Sequence, residues 1–280
     1  MFSKMIAWSL ILSSMFCIAQ ATAQAWGSLV WQETFTGSSL NSSTWNTFFT
    51  SNNSSNWPWN YVSGQPLPSS SESTEYNLDY DLASNILVNN MLGLKASLGS
   101  SAAGYTWTGS VISSMPDPQF AKTTGYTFED KYIEVKAQMP WSANGAWPAI
   151  WFLAAPGSSG AEIDLHEGGF LDHGVYPDDV MACNLHTSGN TQTLIDTGVG
   201  LSAGFHRYGM AYKQGTYIKF YFDDGLVATY TKNVPKGSYF IIINNSMGAS
   251  SAAGWHSKVN ADTPSTLWMT VKSISVYNLQ

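Results

Sequence analysis

Short stretches of alternating apolar and polar residues run along the chain, the pattern of a β-strand with one buried face. The clearest is 132–139, where the alternation is unbroken. Similar patterns predict strands at 28–35, 86–88, 92–96, 109–114, 180–186, 207–212, 217–222, 226–230, 239–243 and 267–277. Segment 147–153 is apolar throughout, which is typical of a strand buried on both faces.

Turn signals separate these strands, and no helical pattern competes with them. Residues 89–90 (Asn-Asn) and 223–225 (Asp-Asp-Gly) predict hairpin turns. We find no helix-length segment with sustained 3.6-residue periodicity, and no internal repeat. The sequence therefore predicts an all-β fold, a sandwich or barrel of antiparallel sheets in one domain. Two stacked, curved sheets would offer a face long enough to hold an extended polysaccharide.

The charge balance limits the possible partners. Only 11% of the 280 residues are charged, and the formal net charge is -7. Because so few basic side chains are present to neutralise phosphates, we expect no nucleic-acid partner. The same argument disfavours polysulfated substrates.

The N-terminus resembles a secretory signal. Lys4 precedes an apolar run at 5–12, and residues 21–23 (Ala-Thr-Ala) form a small-x-small cleavage pattern. The alternative, a membrane anchor, is disfavoured because the run is shorter than the ~20 residues that a span requires. We expect cleavage after Ala23 or Ala25, a secreted protein (extracellular or periplasmic) with no membrane attachment after cleavage, and a single domain over 24–280.

The two cysteines predict no internal disulfide. Cys17 lies in the signal, so Cys183 would be alone in the mature chain. A lone cysteine within an apolar strand pattern is usually a small buried hydrophobe, and a catalytic thiol is the less favoured alternative.

Aromatic residues reach 14% of the chain, with 12 Trp and 14 Tyr. Such residues suit strands, and their ring faces also pack on the apolar face of a sugar. The polar segment 36–75 carries Trp45, Trp57, Trp59 and Tyr61, which favours the rim of a binding cleft over a linker. For loop residues such as Trp57, Trp59 and Trp255, covering the ends of the sandwich is the alternative to sugar binding.

Three acids within six residues, Glu162, Asp164 and Glu167, are the strongest functional signal. Successive side chains of a strand point to opposite faces. Glu162 and Asp164 would therefore point to one face of a regular strand and Glu167 to the other. A β-bulge between Asp164 and Glu167 would return all three to one face. The two glutamates would then lie roughly 13 Å apart at Cα, and side chains leaning together could reach about 5–6 Å, the spacing of a retaining glycosidase pair.

Two other interpretations of the acids remain open. They could form a solvated strand edge, although Ile163 and Leu165 indicate one apolar face. They could also bind a metal, with Asp164, His166, Glu167 and His173 as ligands. The spacing lacks the H-E-x-x-H helix geometry, and Gly168-Gly169 would break such a helix.

Several of these motifs, taken together and in order, resemble glycoside hydrolase family 16. They are L-V-W-Q-E-T-F at 29–35, Trp45, W-P-A-I-W at 147–151, E-I-D-L-H-E at 162–167 and V-K-S-I-S-V-Y at 271–277. The resemblance implies a concanavalin A-like β-jelly-roll sandwich of two curved antiparallel sheets, and retaining hydrolysis within a β-glycan chain. The extra residue in the acid motif is similar to the bulged branch of laminarinases, agarases and carrageenases.

The resemblance also implies roles for single residues. Glu162 would be the nucleophile, Asp164 its hydrogen-bonding helper and Glu167 the acid/base. Trp147 and Trp151 would line the subsites beside the cleaved bond, although core packing is the alternative for both. The remaining expected sugar contacts are His186, with a purely structural histidine as its alternative, Trp59 and Trp255.

This chain departs from the family pattern at two positions. Where many members have an aspartate that helps to hold a structural calcium, it has Lys272, so we expect no ion there. Its bulge position is His166, often apolar in laminarinases, which would alter the pocket or the proton affinity of the acid. Residues 71–76 match the substrate-binding N-terminal loop of the family only loosely, so no subsites are transferred.

The sequence-based prediction is a secreted, monomeric endo-β-1,3- or β-1,3(4)-glucanase that needs no cofactor and acts on a neutral β-glucan. The alternatives are a galactan hydrolase of the agar type, a transglycosylase on the same site, and a non-catalytic β-glucan-binding protein. Loss of the acids would indicate the binding protein, and this chain retains all three.

Overall fold

The computed structural model describes residues 26–47, 79–99, 105–116, 124–155, 158, 160–172, 174–248 and 254–280. Strands dominate these parts of the chain, with single-turn 3-10 helices at Ala83–Asn85, Ser142–Asn144 and Pro177–Asp179. None of the helices in the described ranges is long and apolar enough to cross a membrane. The predicted signal, residues 71–76 and His173 lie outside the described residues.

The strands follow the chain in this order: β1 Leu29–Glu33, β2 Asp79–Asp81, β3 Ile86–Val88, β4 Leu92–Leu98, β5 Trp107–Ser113, β6 Thr127–Phe128, β7 Lys131–Gln138, β8 Ala146–Ala154, β9 Glu162–Glu167, β10 Val180–His186, β11 Thr191–Asp196, β12 His206–Lys213, β13 Tyr217–Phe222, β14 Gly225–Tyr230, β15 Tyr239–Met247 and β16 Thr266–Asn278. All the predicted strands are present.

The strands form two layers. One, which we call the inner sheet, has the order β11-β10-β9-β8-β15-β5, and the other, the outer sheet, has the order β4-β16-β7-β12-β13-β14. Strand β5 belongs to both, because Ser110–Ser113 pair with β15 and Trp107–Thr108 pair with β4. Short strands extend the layers: β1 pairs with β16, β3 with β4, β6 with β15, and β2 runs parallel to β5.

The core lies between the two sheets. Apolar side chains from one face of each sheet form a continuous cluster, which includes Ile150, Phe152, Ile163, Leu165 and Cys183 of the inner sheet and Ile133, Val135, Met210, Phe220, Met269 and Ile274 of the outer sheet. Cys183 is buried and free, as predicted. The sandwich prediction is therefore confirmed, and the second face of the inner sheet is left for other uses.

Strand β11 was not predicted. Its residues are only partly buried or exposed, because it is the edge of the inner sheet and has a neighbour on one side only. An edge strand with mixed polarity lacks the apolar alternation by which the other strands were found. The short strands β2 and β6 were not predicted, because two or three residues are too few to show an alternation of apolar and polar side chains.

The prediction that Trp45 lies at the rim of a cleft is wrong. Its side chain is buried in the core beside Phe35 and Trp31, and its indole N–H donates to Glu33 Oε2 at 3.0 Å. Glu33 also accepts from the backbone N–H of Phe35, so one carboxylate fixes the turn that follows β1. Trp57, Trp59 and Tyr61 lie outside the described residues.

Two buried acids, Asp79 and Asp81, lie where β2 meets β5. Asp79 Oδ1 accepts from the N–H of Met247 at 2.6 Å, while Asp79 Oδ2 and Asp81 Oδ1 both lie against Gly109 without a hydrogen-bond partner. Burial raises the pKa of Asp79 to about 7. Burial and the charge of Asp79 also raise the pKa of Asp81. The pair is therefore most stable when it holds a proton.

The variant Asp79→Asn should reduce this pH dependence, although burial still raises the pKa of Asp81. A raised folded-state pKa adds stability below the unfolded value of 3.8, and that stability is lost as the pH rises towards 7. Asparagine keeps an acceptor for Met247 and can donate to Asp81. At pH 8 we expect Asp79→Asn to unfold at a higher Tm, a gain on the order of 1–3 kcal/mol, and at pH 4 to match the unmodified chain.

Thermal melts at both pH values measure this difference. Asp262→Asn, an exposed substitution, is the matched control and should change neither melt. Equal Tm values for Asp79→Asn and the unmodified chain at pH 8 would contradict the conclusion that the Asp79–Asp81 pair is most stable when it holds a proton.

Candidate active site

The acid motif forms strand β9, and this strand is bulged as predicted. On one side Trp151 pairs with Asp164 and Ile150 with His166, so Leu165 has no partner in β8. The pairing with β10 shifts at the same place, between Ala182 and Asn184. The extra residue returns Glu167 to the face that Glu162 and Asp164 occupy, and all three line one groove on the free face of the inner sheet.

The groove has a volume of about 590 Å³, and its lining combines acids, amides and aromatic rings. The lining residues are Asp81, Val111, Trp147, Ala149, Trp151, Glu162, Asp164, Glu167, Phe170, Asn184, His186, Asn190, Gln192, Asn244, Ser246 and Trp255. No lysine or arginine is among these described residues. The groove is therefore acidic, and His186 is the group in this lining that can carry a positive charge.

Glu167 is held by side-chain donors from both neighbouring strands. The indole N–H of Trp147 on β8 donates to Oε1 at 3.1 Å, and the amide of Asn184 on β10 donates to Oε2. These donors fix the carboxyl group in one orientation. Burial raises the pKa of Glu167, and His186, these two donors and a hydrogen bond with Asp164 oppose that rise.

Glu162 and Asp164 share a different partner, His186, at the end of β10. His186 Nε2 lies 3.0 Å from Asp164 Oδ2 and 3.7 Å from Glu162 Oε1. The first contact lacks the alignment of a hydrogen bond, since Asp164 Oδ2 has no hydrogen-bond partner. It is an ion pair only when the imidazole is protonated; the imidazole is partly exposed, and Asp164 is nearly inaccessible.

The three carboxyl groups perturb one another. Burial raises the pKa of Glu162, the charge of Asp164 raises it further, and His186 opposes both. Burial, the charge of Glu167 and a hydrogen bond with Glu167 raise the pKa of Asp164. Negative charges in one buried site repel, so the three carboxyl groups hold a proton more tightly than isolated carboxyl groups do. Acid and base forms can therefore coexist within it.

The aromatic residues that were expected to contact sugar lie in the groove where the structure describes them. Trp147 and Trp151 project from the groove face of β8, half-buried, and Trp151 donates to Asn244 Oδ1 at 2.7 Å. Trp255 lies beside Trp147, with ring centroids 5.3 Å apart. Trp151 also packs against the buried apolar cluster that includes Leu153 and Ile242, so the core-packing alternative holds for part of its side chain. Trp59 lies outside the described residues.

His166 does not line the groove, contrary to one expectation. The bulge directs both Leu165 and His166 into the core, where the imidazole packs on Tyr208 at 5.2 Å between ring centroids. Burial lowers the pKa of His166 to about 3, so the ring is neutral. The alternative metal site is not assembled either, because His166 lies behind the sheet from Asp164 and Glu167.

A different set of ligand-type side chains does converge. One ligand atom each from Glu162, Asp164 and His186 lies within 4.8 Å of the others, and within the described residues this is the group of three that could hold a metal ion. The same three groups belong to the acid cluster of the groove. A cation there would therefore compete with any chemistry that needs the carboxylates free.

Sequence reasoning missed several polar residues of the groove. Asn184 lies next to Asp164 in register, Asn244 and Ser246 end the apolar strand β15, and Asp81 enters from β2. One usable signal existed, the polar run at 244–246 directly after five apolar residues. The positions of Asn184 and Asp81 depend on strand pairing between distant segments.

Comparisons with known proteins agree with this geometry. The family model described as Glycosyl hydrolases family 16 matches residues 71–269. Endo-1,3-1,4-beta-glycanase ExsH of Rhizobium meliloti (strain 1021) is 30% identical over 182 residues, 61% of this chain and 36% of that protein. EglC, with the same enzyme name and from the same organism, is 33% identical over 127 residues, 45% of this chain and 24% of EglC. The matches thus span only a minor part of either relative.

Solved structures show the same fold. The laminarinase catalytic domain from Thermotoga maritima superposes with a TM-score of 0.69 at 20% identity, over 91% of this chain and 100% of that one. The endo-beta-1,3-glucanase from Pyrococcus furiosus gives 0.65 at 22% identity, over 90% and 94%. The predicted jelly-roll fold is confirmed, and because the family model covers most of the chain, this protein belongs to glycosyl hydrolases family 16.

Proposed function

We propose that this protein is a retaining, endo-acting hydrolase of neutral β-glucans. The observation that carries the proposal is the position of Glu162, Asp164 and Glu167 on one face of a bulged strand, inside a groove lined by tryptophans. Paired carboxyl groups of different proton affinity are what glycoside hydrolysis requires. Indole rings beside them suit the apolar faces of sugar rings.

The proposed reaction has two steps. Glu162 attacks the anomeric carbon as Glu167 gives its proton to the leaving oxygen, so a glycosyl ester forms and the glycosidic bond breaks. Water then attacks the same carbon. Glu167 takes the proton of that water, and Glu162 leaves as a carboxylate. Glu162 and then water supply the attacking electron pairs, and the proton that Glu167 gives up in the first step is regained from water in the second.

The contacts of each carboxyl group support these roles. Burial and the charge of Asp164 raise the pKa of Glu162, and His186, 3.7 Å from Glu162 Oε1, opposes that rise as it also does at Glu167. Asp164 hydrogen-bonds with Glu167 and can share its proton. Trp147 and Asn184 hold the Glu167 carboxyl in place, which satisfies the requirement that a general acid be oriented towards the atom it protonates.

The substrate class follows from the charge of the groove. Four acids and no lysine or arginine are found among the described lining residues, so a sulfated or uronic polysaccharide would be repelled. Two relatives are named endo-1,3-1,4-beta-glycanases, and similar structures are laminarinases. We therefore propose β-1,3-glucan or mixed β-1,3/1,4-glucan as substrate, met outside the cell as the signal-like residues 1–23 suggest.

A substrate panel tests this proposal. The purified protein is incubated with laminarin, barley β-glucan, agarose and carrageenan, and products are sized with and without an added acceptor oligosaccharide. We expect oligosaccharides of mixed length from the first two and none from carrageenan. Longer products with the acceptor would indicate a transglycosylase, whereas binding without cleavage of any glycan would overturn the enzymatic proposal.

The variant Glu162→Ala should lower kcat by about 10⁴-fold or more, because the nucleophile is removed, and should still bind long oligosaccharides. Added azide, small enough to replace the lost carboxylate, should restore a glycosyl azide of inverted configuration. Glu129→Ala, an exposed glutamate outside the groove, is the control. Near-normal turnover by Glu162→Ala would exclude it as nucleophile.

The variant Glu167→Gln should slow substrates with poor leaving groups by about 10²–10⁴-fold. Activated aryl glycosides, whose leaving groups need no proton, should be slowed far less in the glycosylation step. Pre-steady-state kinetics on both substrate types separate that step from hydrolysis of the intermediate. Equal slowing of both would contradict the acid role.

A further inference from the structure

We infer that His256 is a positioning residue for Glu167; the inference rests on the acid/base role proposed above. His256 lies between β15 and β16 and is completely buried. It does not line the groove, whereas its neighbours Trp255 and Phe170 do. The imidazole therefore acts on the site from behind, through the groups it contacts.

The first contact is with the backbone that follows Glu167. His256 Nε2 lies 2.9 Å from the carbonyl oxygen of Gly168, and Nδ1 lies 2.7 Å from the carbonyl oxygen of Ser257. Both oxygens can only accept, so the inferred bond to Gly168 places the proton of the neutral ring on Nε2. Two backbone hydrogen bonds flank it: the N–H of Ser257 donates to Gly169 O at 2.7 Å, and the N–H of Leu171 donates to Trp255 O at 2.9 Å. These bonds join the segment around His256 to the turn that immediately follows Glu167.

The second contact is with the side chain that orients the acid. The imidazole packs on the indole of Trp147, with ring centroids 4.6 Å apart and planes inclined by 34°. That indole donates to Glu167 Oε1. His256 thus supports both the backbone of Glu167, through Gly168, and one of its side-chain donors, through Trp147.

The backbone approaches the ring closely at two glycines. A methyl group on Gly169 would lie 2.3 Å from Nε2, and one on Gly248 would lie 2.8 Å from Nδ1. Gly169 also has a φ of +85°, a conformation that other residues rarely adopt. The two glycines therefore let the backbone pack closely against the imidazole from two sides.

Two substitutions test separately what the N–H donor and the aromatic ring of His256 contribute. His256→Gln can keep an amide N–H near the position of Nε2, while His256→Phe keeps an aromatic ring against Trp147 and has no donor. We expect His256→Phe to lower kcat on laminarin about tenfold, as the loss of one hydrogen bond predicts, with KM within about twofold. His256→Gln should stay within about threefold of the unmodified enzyme.

The pH dependence of kcat/KM distinguishes this role from a general loss of folded protein, because such a loss lowers kcat/KM equally at every pH. Without the donor to Gly168, the backbone beside Glu167 is less well held, and the hydrogen bond from Trp147 that lowers the pKa of Glu167 is weakened. The basic limb of kcat/KM should therefore shift to higher pH in His256→Phe. Asn184, Asp164 and His186 also face Glu167 and are unchanged in both variants. His206→Phe, a histidine of the outer sheet, is the control and should leave the limb in place.

Hydrogen exchange measured by mass spectrometry needs no activity. The peptide that contains 168–171 should exchange faster in His256→Phe than in His256→Gln, because the turn loses its side-chain donor. If the unmodified protein cleaves no glycan, the proposed function fails, and this contrast still decides the role of His256. Equal exchange, equal kcat and an unshifted limb in the two variants would overturn the inference.

Discussion

One extra residue in β9 determines where the chemistry of this protein can occur. Without it, the strand alternation would send Glu167 into the apolar core, where an unpaired carboxyl group costs several kcal/mol. With it, Leu165 and His166 both turn inward and Glu167 returns to the groove. The cost of the bulge is a buried imidazole whose ring nitrogens have no hydrogen-bond partner.

The second determinant is the distribution of hydrogen-bond donors around the acids. The groove contains no lysine or arginine among its described residues, so neutral donors and one histidine control the carboxyl groups. Trp147 and Asn184 hold Glu167, while His186 lies beside Asp164 and Glu162. This asymmetry gives the two glutamates different environments within a single strand, and their environments set their proton affinities.

Much of the fold was predictable because its signals are local. The strand pattern, the hairpin turns and the three acids are readable within windows of about ten residues, and even the bulge follows from the odd spacing between Asp164 and Glu167. The errors have a common cause. Trp45 enters the core because Glu33 accepts its N–H, and β11 is an edge strand whose period is masked by its exposure.

The contacts that escaped prediction join residues far apart in sequence. His256 reaches Gly168 across 88 positions, and Asp79 reaches Met247 across 168. Neither contact follows a motif, and each depends on how the strands are ordered in the sheets. Sequence patterns predicted the faces of single strands, and the pairing of strands then decided which residues meet.

The irregularity in β9 also bears on how the inner sheet assembles. A regular strand can slide by two residues against its neighbour and keep the same faces buried, which permits alternative pairings. Here β8 and β10 both accommodate the same interruption, opposite the same segment of β9. If β9 slid by two residues, its bulge would no longer lie opposite the irregular positions of β8 and β10. The bulge therefore fixes the alignment of three central strands and disfavours the mispaired sheets from which aggregation begins.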